Sequence, residues 1–128
     1  MLISFCVLFW VSGFDIIYAL QDIEFDRSNN LYSIPASTGK KNALNISILL
    51  HFLSGICIIL AGIDGNFGWL FWLGVVVFLS LLIYQHTIVK PGNISKVNVA
   101  FFTTNGIASV VFCICVLLDL FINKINLS

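Results

Sequence analysis

Charged side chains are scarce in this chain: Asp, Glu, Lys and Arg make up 9% of its 128 residues, whereas 59% of the residues are hydrophobic. Soluble domains average about 25% charged and about 45–50% apolar residues. A folded chain of this size has too much surface for its volume to bury so many apolar side chains. The composition therefore excludes a soluble domain and a disordered chain, and it indicates an integral protein of the lipid bilayer.

The sequence also lacks a basic surplus and a disulfide framework. Six basic residues balance six acidic ones, so the formal net charge is zero. Nucleic-acid-binding domains carry a basic patch for the phosphate backbone, and we therefore expect no nucleic-acid partner. All four cysteines lie in apolar runs, where a free thiol behaves as a small hydrophobic group. They predict packing rather than disulfides or a metal site.

Long apolar runs predict the fold class. About 20 apolar residues in a helix span a bilayer core of about 30 Å. Four segments have this character, at about 1–20, 45–62, 67–89 and 97–122. We expect one all-α membrane domain over residues 1–128, with four transmembrane helices. The first run follows no basic region and precedes no small-residue cleavage site, so we expect a membrane helix there rather than a signal peptide.

The basic residues predict an orientation. Five of the six lie in the first and third connections, and one lies in the C-terminal tail: Arg27, Lys40, Lys41, Lys90 and Lys96 against Lys124. Connections rich in Lys and Arg stay in the cytoplasm. We therefore expect a multi-pass protein of the inner (plasma) membrane whose first and third connections face the cytoplasm.

Four of the six acidic residues lie between positions 15 and 26. If one helix continues through this stretch at 100° per residue, four side chains share one face: Asp15, Tyr18, Asp22 and Asp26. A helix end that meets water explains Glu24, on the opposite face, but a carboxylate inside an apolar segment is costly and usually functional. Since Mg²⁺ takes one or two carboxylates plus substrate phosphates, we interpret the stripe as a Mg²⁺–diphosphate site, with Asp15, Asp22 and Asp26 as metal ligands.

Further polar side chains are predicted in the same half of the membrane: Asn45, His51, Tyr84, Gln85, His86, Asn98, Thr103, Thr104 and Asn105. Taken singly, each favours a hydrogen bond between helices. As a set, they suggest a cavity that opens toward the cytoplasm. Asn105 is a candidate for substrate binding there.

Basic residues next to the stripe have two interpretations. Arg and Lys commonly complete diphosphate clamps, which makes Arg27, Lys40 and Lys41 candidate substrate-binding residues. The positive-inside rule alone also accounts for them. The two interpretations are equally good for Arg27, and the second is favoured for the lysine pair.

At this point the sequence resembles a known family. The string Gly13-Phe-Asp-Ile-Ile-Tyr-Ala-Leu-Gln-Asp-Ile-Glu-Phe-Asp26 is similar to the second aspartate-rich motif of the UbiA superfamily of intramembrane aromatic prenyltransferases. Ser33-Ile-Pro-Ala36, Val89-Lys-Pro, Ile94-Ser-Lys-Val-Asn98 and Ala100-Phe-Phe-Thr-Thr-Asn-Gly106 resemble its 4-hydroxybenzoate polyprenyltransferase-like branch. The resemblance covers nearly the whole chain.

The resemblance implies a fold and a reaction. The family forms a bundle of about nine membrane helices around a central cavity, where two aspartate-rich motifs bind Mg²⁺ and a polyprenyl diphosphate. Asp22 and Asp26 match the Asp-x-x-x-Asp pair, and Asp15 and Tyr18 match the Asp and Tyr before it. The implied activity is transfer of the polyprenyl group to an aromatic quinone precursor such as 4-hydroxybenzoate, in ubiquinone or menaquinone biosynthesis.

Two departures from the family pattern leave alternatives open. The first aspartate-rich motif is missing, since the only acidic residues outside the stripe region are Asp64 and Asp119. We therefore expect the chain to correspond to the C-terminal part of the bundle and to need the N-terminal half, or another copy, as partner. Ser37 also stands where relatives tend to carry a basic residue.

Other functions compatible with the sequence are a non-catalytic four-helix membrane subunit, an inactive fragment, or an enzyme of another branch that prenylates haem or chlorin. The Ser33–Ala36 stretch argues against the haem or chlorin branch. The stacked carboxylates argue against a non-catalytic subunit, whereas the missing first motif favours one.

Overall fold

Four long helices dominate the structure, a computed structural model that describes residues 1–127 and the side chains of residues 1–123. They are α1 (Leu2–Ala19), α4 (Lys40–Asp64), α5 (Trp69–Ile88) and α6 (Asn105–Leu127). Over the described range the secondary structure is helical, without strands, and four helical segments are long and apolar enough to cross a membrane. The predicted all-α architecture with four spans is confirmed. The side chain of Lys124 lies outside the described part.

The acidic stretch does not continue α1 as one regular helix. A 3₁₀ turn (Leu20–Asp22) follows α1, and a short helix α2 (Ile23–Ser28) follows the turn. A 3₁₀ turn advances about 120° per residue against about 100° in an α-helix, so three such residues add about 60° of rotation. The assumption of one uninterrupted helix is corrected accordingly: Asp26 is rotated away from the line of Asp15.

A second short helix, α3 (Ile34–Thr38), leads into α4. Its start follows from the sequence, because the Ser33 hydroxyl accepts a hydrogen bond from the Ala36 amide and Pro35 lies in the first turn. Gly39, at φ +83°, ends α3 in a conformation that other residues rarely adopt. Directly after it α4 begins at Lys40, earlier than the predicted start near Asn45.

The helices pack as antiparallel neighbours, α1 on α4 and α5 on α6, with α4 also touching α5. One buried cluster, containing Ile17, Leu20, Ala43 and Val97, lies at the end of the bundle where α2 and α3 connect the helices. A second cluster around Phe71 and Phe78 fills the rest of the interior. The antiparallel order brings the first and third connections to one end, where the candidate site lies.

The chain enters α6 through a π-helical turn, Val99–Thr104. Turns of this kind are rare in proteins, and those that occur are often found at functional sites. It packs against α1, where Trp10, Phe14 and Tyr18 follow one another at four-residue spacing. Phe14 and Tyr18 contact the ring of Phe101, and Trp10 contacts Phe14. The π-helical turn is therefore held on the aromatic side of α1.

Candidate active site

Asp26 and Arg27 both hold the start of α3. The Ser33 hydroxyl donates a hydrogen bond to Oδ2 of Asp26 over 2.6 Å, and Nε of Arg27 donates to the Ala36 carbonyl oxygen over 2.9 Å. The same Ser33 hydroxyl caps α3. The Ser-Ile-Pro-Ala stretch is thus fixed to α2 by one acidic and one basic residue, and Arg27 keeps its terminal nitrogens for another partner.

Asp15 borders the same segment from α1. It lines an open cavity of about 310 Å³ together with Ile34 and Pro35 of α3. Its side chain is exposed and makes no hydrogen bond or ion pair with any other side chain of residues 1–123. Asp22, at the end of the 3₁₀ turn, is exposed as well. Asp15, Asp26 and Arg27 therefore surround the start of α3, and Asp22 lies on the exposed turn between them.

Tyr18 is directed elsewhere. Its ring packs on Phe101 of the π-helical turn, with ring centroids 4.4 Å apart, and its other aromatic neighbour is Phe102. Close by, the Gln21 amide donates to the Asn98 side-chain oxygen over 3.3 Å. The structure therefore places Tyr18 beside the π-helical turn, whereas Asp15 lies beside α3.

Within the described part of the chain, the remaining predicted substrate-binding residues form no side-chain hydrogen bond or ion pair with this segment. Lys40 and Lys41 are exposed in the first turn of α4 and form no ion pair within the described part of the chain. Asn105 is buried directly after the π-helical turn, and neither atom of its amide has a hydrogen-bond partner among the described residues. An amide that is buried without a partner is costly, so Asn105 is available to a ligand.

The acidic residues fit one part of a metal–diphosphate site. No group of three His, Cys, Asp or Glu side chains within residues 1–123 is placed to hold a metal ion, so the three predicted ligands do not form a closed site. Mg²⁺ needs only one or two protein carboxylates when phosphate oxygens complete its shell. The hard oxygen donors of Asp22 and Asp26, four residues apart, fit that smaller requirement.

Three polar side chains meet where α1, α4 and α5 touch. Nδ1 of His51 lies 2.7 Å from Nε2 of His86, and Nε2 of His51 lies 3.2 Å from the Trp10 carbonyl oxygen. A carbonyl can only accept, so in neutral rings Nε2 of His51 carries the proton and Nδ1 accepts from His86 and from the Gln85 amide. His86 then donates through Nε2 and keeps Nδ1 as an acceptor. Hydrogen bonding between helices, predicted for these residues taken singly, is confirmed.

Asp119 has a role that sequence reasoning missed. Helix α5 follows Gly68, which has no side chain to cap it, and Asp119 of α6 caps it instead. Its carboxylate accepts from the Gly68 amide over 2.7 Å, from the Phe71 amide over 3.4 Å and from the Asn123 side chain over 3.2 Å. A helix N-terminus stabilises a carboxylate. The only signal in the sequence was an acidic residue inside an apolar run.

Ser47 and Ser54 were missed as well. Their hydroxyls donate to the carbonyl oxygens of Gly13 and Cys6 over 2.7 and 2.8 Å, so they tie α4 to α1. Together with His51 they recur at four and three residues, which is the spacing of one helix face. That periodicity could have identified the buried face of α4.

The comparison with known proteins adds an independent observation. The family model described as the UbiA prenyltransferase family matches residues 1–121. The chain belongs to this family. The assignment confirms the resemblance that Gly13–Asp26 and Ser33–Ala36 indicated.

The curated relatives that match the chain share the name of one enzyme. The chain is 32% identical over 108 residues to the 4-hydroxybenzoate octaprenyltransferase of Francisella tularensis subsp. mediasiatica, and 31% identical to that of subsp. novicida. These alignments cover 84% of the chain and 38% of either relative. The chain therefore spans less than half the length of the curated relatives it matches. No solved structure matches it.

Proposed function

We propose that the chain contributes the Asp22–Asp26 part of the active site of an intramembrane prenyltransferase. The reaction transfers a polyprenyl group from polyprenyl diphosphate to an aromatic acceptor of the 4-hydroxybenzoate type, in ubiquinone or menaquinone biosynthesis. The relatives named 4-hydroxybenzoate octaprenyltransferase support this choice of acceptor. Since the chain spans 38% of their length, the whole activity is proposed for the chain together with the remaining part of such an enzyme.

One observation carries the proposal. Asp26 and Arg27 both anchor the Ser33–Ala36 segment, while Asp15 and Asp22 remain exposed beside it without partners in the described part of the chain. Like charges on one end of a membrane helix are costly unless a cation joins them. A neighbouring guanidinium suits the diphosphate that accompanies such a cation.

In the reaction, the bond between the allylic carbon and the diphosphate oxygen breaks, a ring carbon of the phenol forms the new C–C bond, and the ring loses a proton. Mg²⁺, when bound, neutralises the charge of the leaving diphosphate. Asp22 and Asp26 supply oxygen ligands, and Arg27 donates to the phosphate oxygens. Lys40 and Lys41 add positive charge at the same face, which we propose to be the cytoplasmic face of the plasma membrane.

The first experiment substitutes the paired carboxylates. The chain is expressed with the remaining part of a Francisella relative, and transfer from radiolabelled prenyl diphosphate to 4-hydroxybenzoate is measured in membranes. We expect Asp22→Asn and Asp26→Asn to abolish transfer, because each removes an anionic ligand at nearly constant volume. Glu24→Gln is the matched control and retains activity. If Glu24→Gln is inactive while Asp26→Asn stays active, the site lies on the helix face opposite to the one proposed.

The second experiment tests the chain alone. A non-catalytic membrane subunit is the second candidate function, and the missing first aspartate-rich motif favours it. We expect no product from membranes that contain only this chain, even with excess Mg²⁺. Robust product from the chain alone shows a complete enzyme, formed by one or more copies. No product from the combined parts favours the non-catalytic subunit.

A further inference from the structure

A second site candidate lies away from the acidic residues, in a groove between α4 and α5. Its volume is about 310 Å³, within the range of small-molecule sites. Phe52 and Ile56 of α4 and Leu79 and Ile83 of α5 form its apolar walls. The α4 residues that line it run from position 48 to position 59, about 16 Å along the helix axis.

Among residues 1–123, His51 and His86 are the only polar side chains that line this groove, and they lie close to one end of it. The Trp10 carbonyl fixes the proton of His51 on Nε2, and the hydrogen bond from His86 to His51 then fixes the proton of His86 on Nε2. Nδ1 of His86 is thus an acceptor, and it has no hydrogen-bond partner within residues 1–123. The groove therefore offers one acceptor nitrogen beside an apolar channel.

The neighbouring Gln85 is fully buried and does not line the groove, so its Oε1, which has no partner in the described part of the chain, does not contribute an acceptor there. The Gln85 amide donates to His51 and likewise lies outside the groove lining. An acceptor next to an apolar channel is complementary to a molecule that carries an O–H group on a long hydrocarbon chain.

We propose that the α4–α5 groove binds a prenylated phenol, whose hydroxyl donates to Nδ1 of His86 and whose isoprenoid chain lies along Phe52, Ile56 and Leu79. The ligand class rests on the proposed function, because a phenol with an isoprenoid chain is what that reaction produces. The groove is a second site for the product, separate from the residues around α3.

The position of the groove fits the orientation of such a molecule in a bilayer. His86 lies in the last turn of α5, two residues before its end and close to the connection that carries Lys90. The apolar walls extend from there toward the middle of both helices. A prenylated phenol would keep its hydroxyl near the polar face and its chain in the hydrocarbon core.

Binding can be measured without turnover. The full chain is labelled with ¹⁵N-histidine in nanodiscs of dioleoylphosphatidylcholine and titrated with 2-geranylphenol, in the absence of any diphosphate. Because the chain contains only two histidines, each ring nitrogen can be followed separately. We expect the Nδ1 resonance of His86 to shift on binding, while the His51 resonances keep the pattern of a ring protonated on Nε2.

The methyl ether of the same compound is the matched ligand control. It has the same chain but no donor, so we expect it to bind about two- to tenfold more weakly, the loss of one hydrogen bond. Equal affinity of phenol and ether, with no shift of the His86 resonance, overturns the proposal and leaves a groove that bilayer acyl chains fill.

Two variants locate the site on the protein. Ile56→Trp fills the groove and is expected to abolish the titration, whereas Ile114→Trp adds the same bulk on an exposed position of α6 and retains it. His86→Phe removes the acceptor and is expected to bind phenol and ether equally. If His86→Phe does not fold, the Ile56→Trp and Ile114→Trp pair decides the question, and unchanged binding by Ile56→Trp overturns the proposal.

These outcomes are independent of catalysis. A chain that binds 2-geranylphenol through His86 but supports no transfer refutes the proposed function and retains the site. A chain that supports transfer with the remaining part of the enzyme but does not bind 2-geranylphenol refutes the site alone.

Discussion

Polar groups on the two faces of α1 differ in whether they have hydrogen-bond partners. Toward α4, three of its backbone carbonyls accept hydrogen bonds from three buried side chains: Cys6, Trp10 and Gly13 accept from Ser54, His51 and Ser47. On the side that borders α3, Asp15 is exposed and makes no hydrogen bond with the side chains of residues 1–123. Polar groups thus occur on both faces, but only one face satisfies them within the described structure.

We propose that this difference separates polar residues that stabilise the fold from those that bind a ligand. In hydrocarbon a polar group without a partner is costly, so side chains that hold helices together find acceptors within the bundle. A carboxylate that stays exposed on a membrane helix is retained for a partner outside it. Substitutions on the two faces should therefore affect different properties.

The largest effect is expected where α1 and α4 approach most closely. Gly13 has no side chain, and a Cβ at this position would collide with the imidazole of His51. Gly13→Leu should therefore separate the two helices and break the hydrogen bond to Trp10. Overpacking of a buried contact costs about 1–3 kcal/mol. We expect a loss of that size in the free energy of unfolding, measured by SDS titration in mixed micelles.

Gly106→Ala is the matched control. Gly106 is exposed in α6, and a Cβ there meets no atom of the described chain within 4 Å. Because Ala is the better helix former, the stability should stay constant or rise slightly. Equal losses in both variants would show that glycine substitution, rather than the contact with His51, destabilises the protein.

A smaller loss in the free energy of unfolding is expected at Asp119, a buried polar side chain that joins α6 to the start of α5. Asp119→Ala leaves the Gly68 and Phe71 amides without their acceptor. Loss of a helix cap costs about 1–2 kcal/mol. The same unfolding titration should detect this, whereas Asp64→Ala, at an exposed acidic residue at the end of α4, should leave stability within about 0.5 kcal/mol.

Removal of a single hydroxyl tests one hydrogen bond on the face of α1 that contacts α4. Ser47→Ala deletes the hydrogen bond to Gly13, and interhelical hydrogen bonds in membranes average about 0.6 kcal/mol. Ser80→Ala is the comparison, because the Ser80 hydroxyl bonds only to the Val76 carbonyl of its own helix. If both variants lose the same stability, the contact between α1 and α4 adds nothing beyond a local hydrogen bond.

The smallest stability effect is expected on the outward face. Asp15→Asn removes a charge that has no partner among the described side chains, so the unfolding free energy should change by no more than about 0.5 kcal/mol. Prenyl transfer by the chain combined with the rest of the enzyme should fall. A clear loss of stability would place Asp15 with the residues that hold the fold.

Residues with a local signal were well predicted. The four spans follow from apolar runs, and the family follows from the aspartates and the Ser33–Ala36 stretch. Both signals lie in residues that are close together in the sequence and need no knowledge of the packing. The rotation of Asp26 was not predictable, because no residue pattern marks Leu20–Asp22 as a 3₁₀ turn, which advances about 120° per residue instead of about 100°. The separation of Tyr18 from Asp15 was missed for a similar reason: it depends on Phe101, which is distant in the chain.

By itself, the sequence determined that this protein is an α-helical membrane protein, because apolar runs of membrane length leave no other way to satisfy the backbone. Its motif residues determined the prenyltransferase family. Only the tertiary structure decided which polar groups find hydrogen-bond partners within the fold. Asp15 and Asp119 are both acids inside apolar helices, yet Asp119 meets the free amides at the start of α5 and Asp15 meets none. The difference lies in which helix end or side chain packs against each carboxylate, and long-range packing alone fixes that.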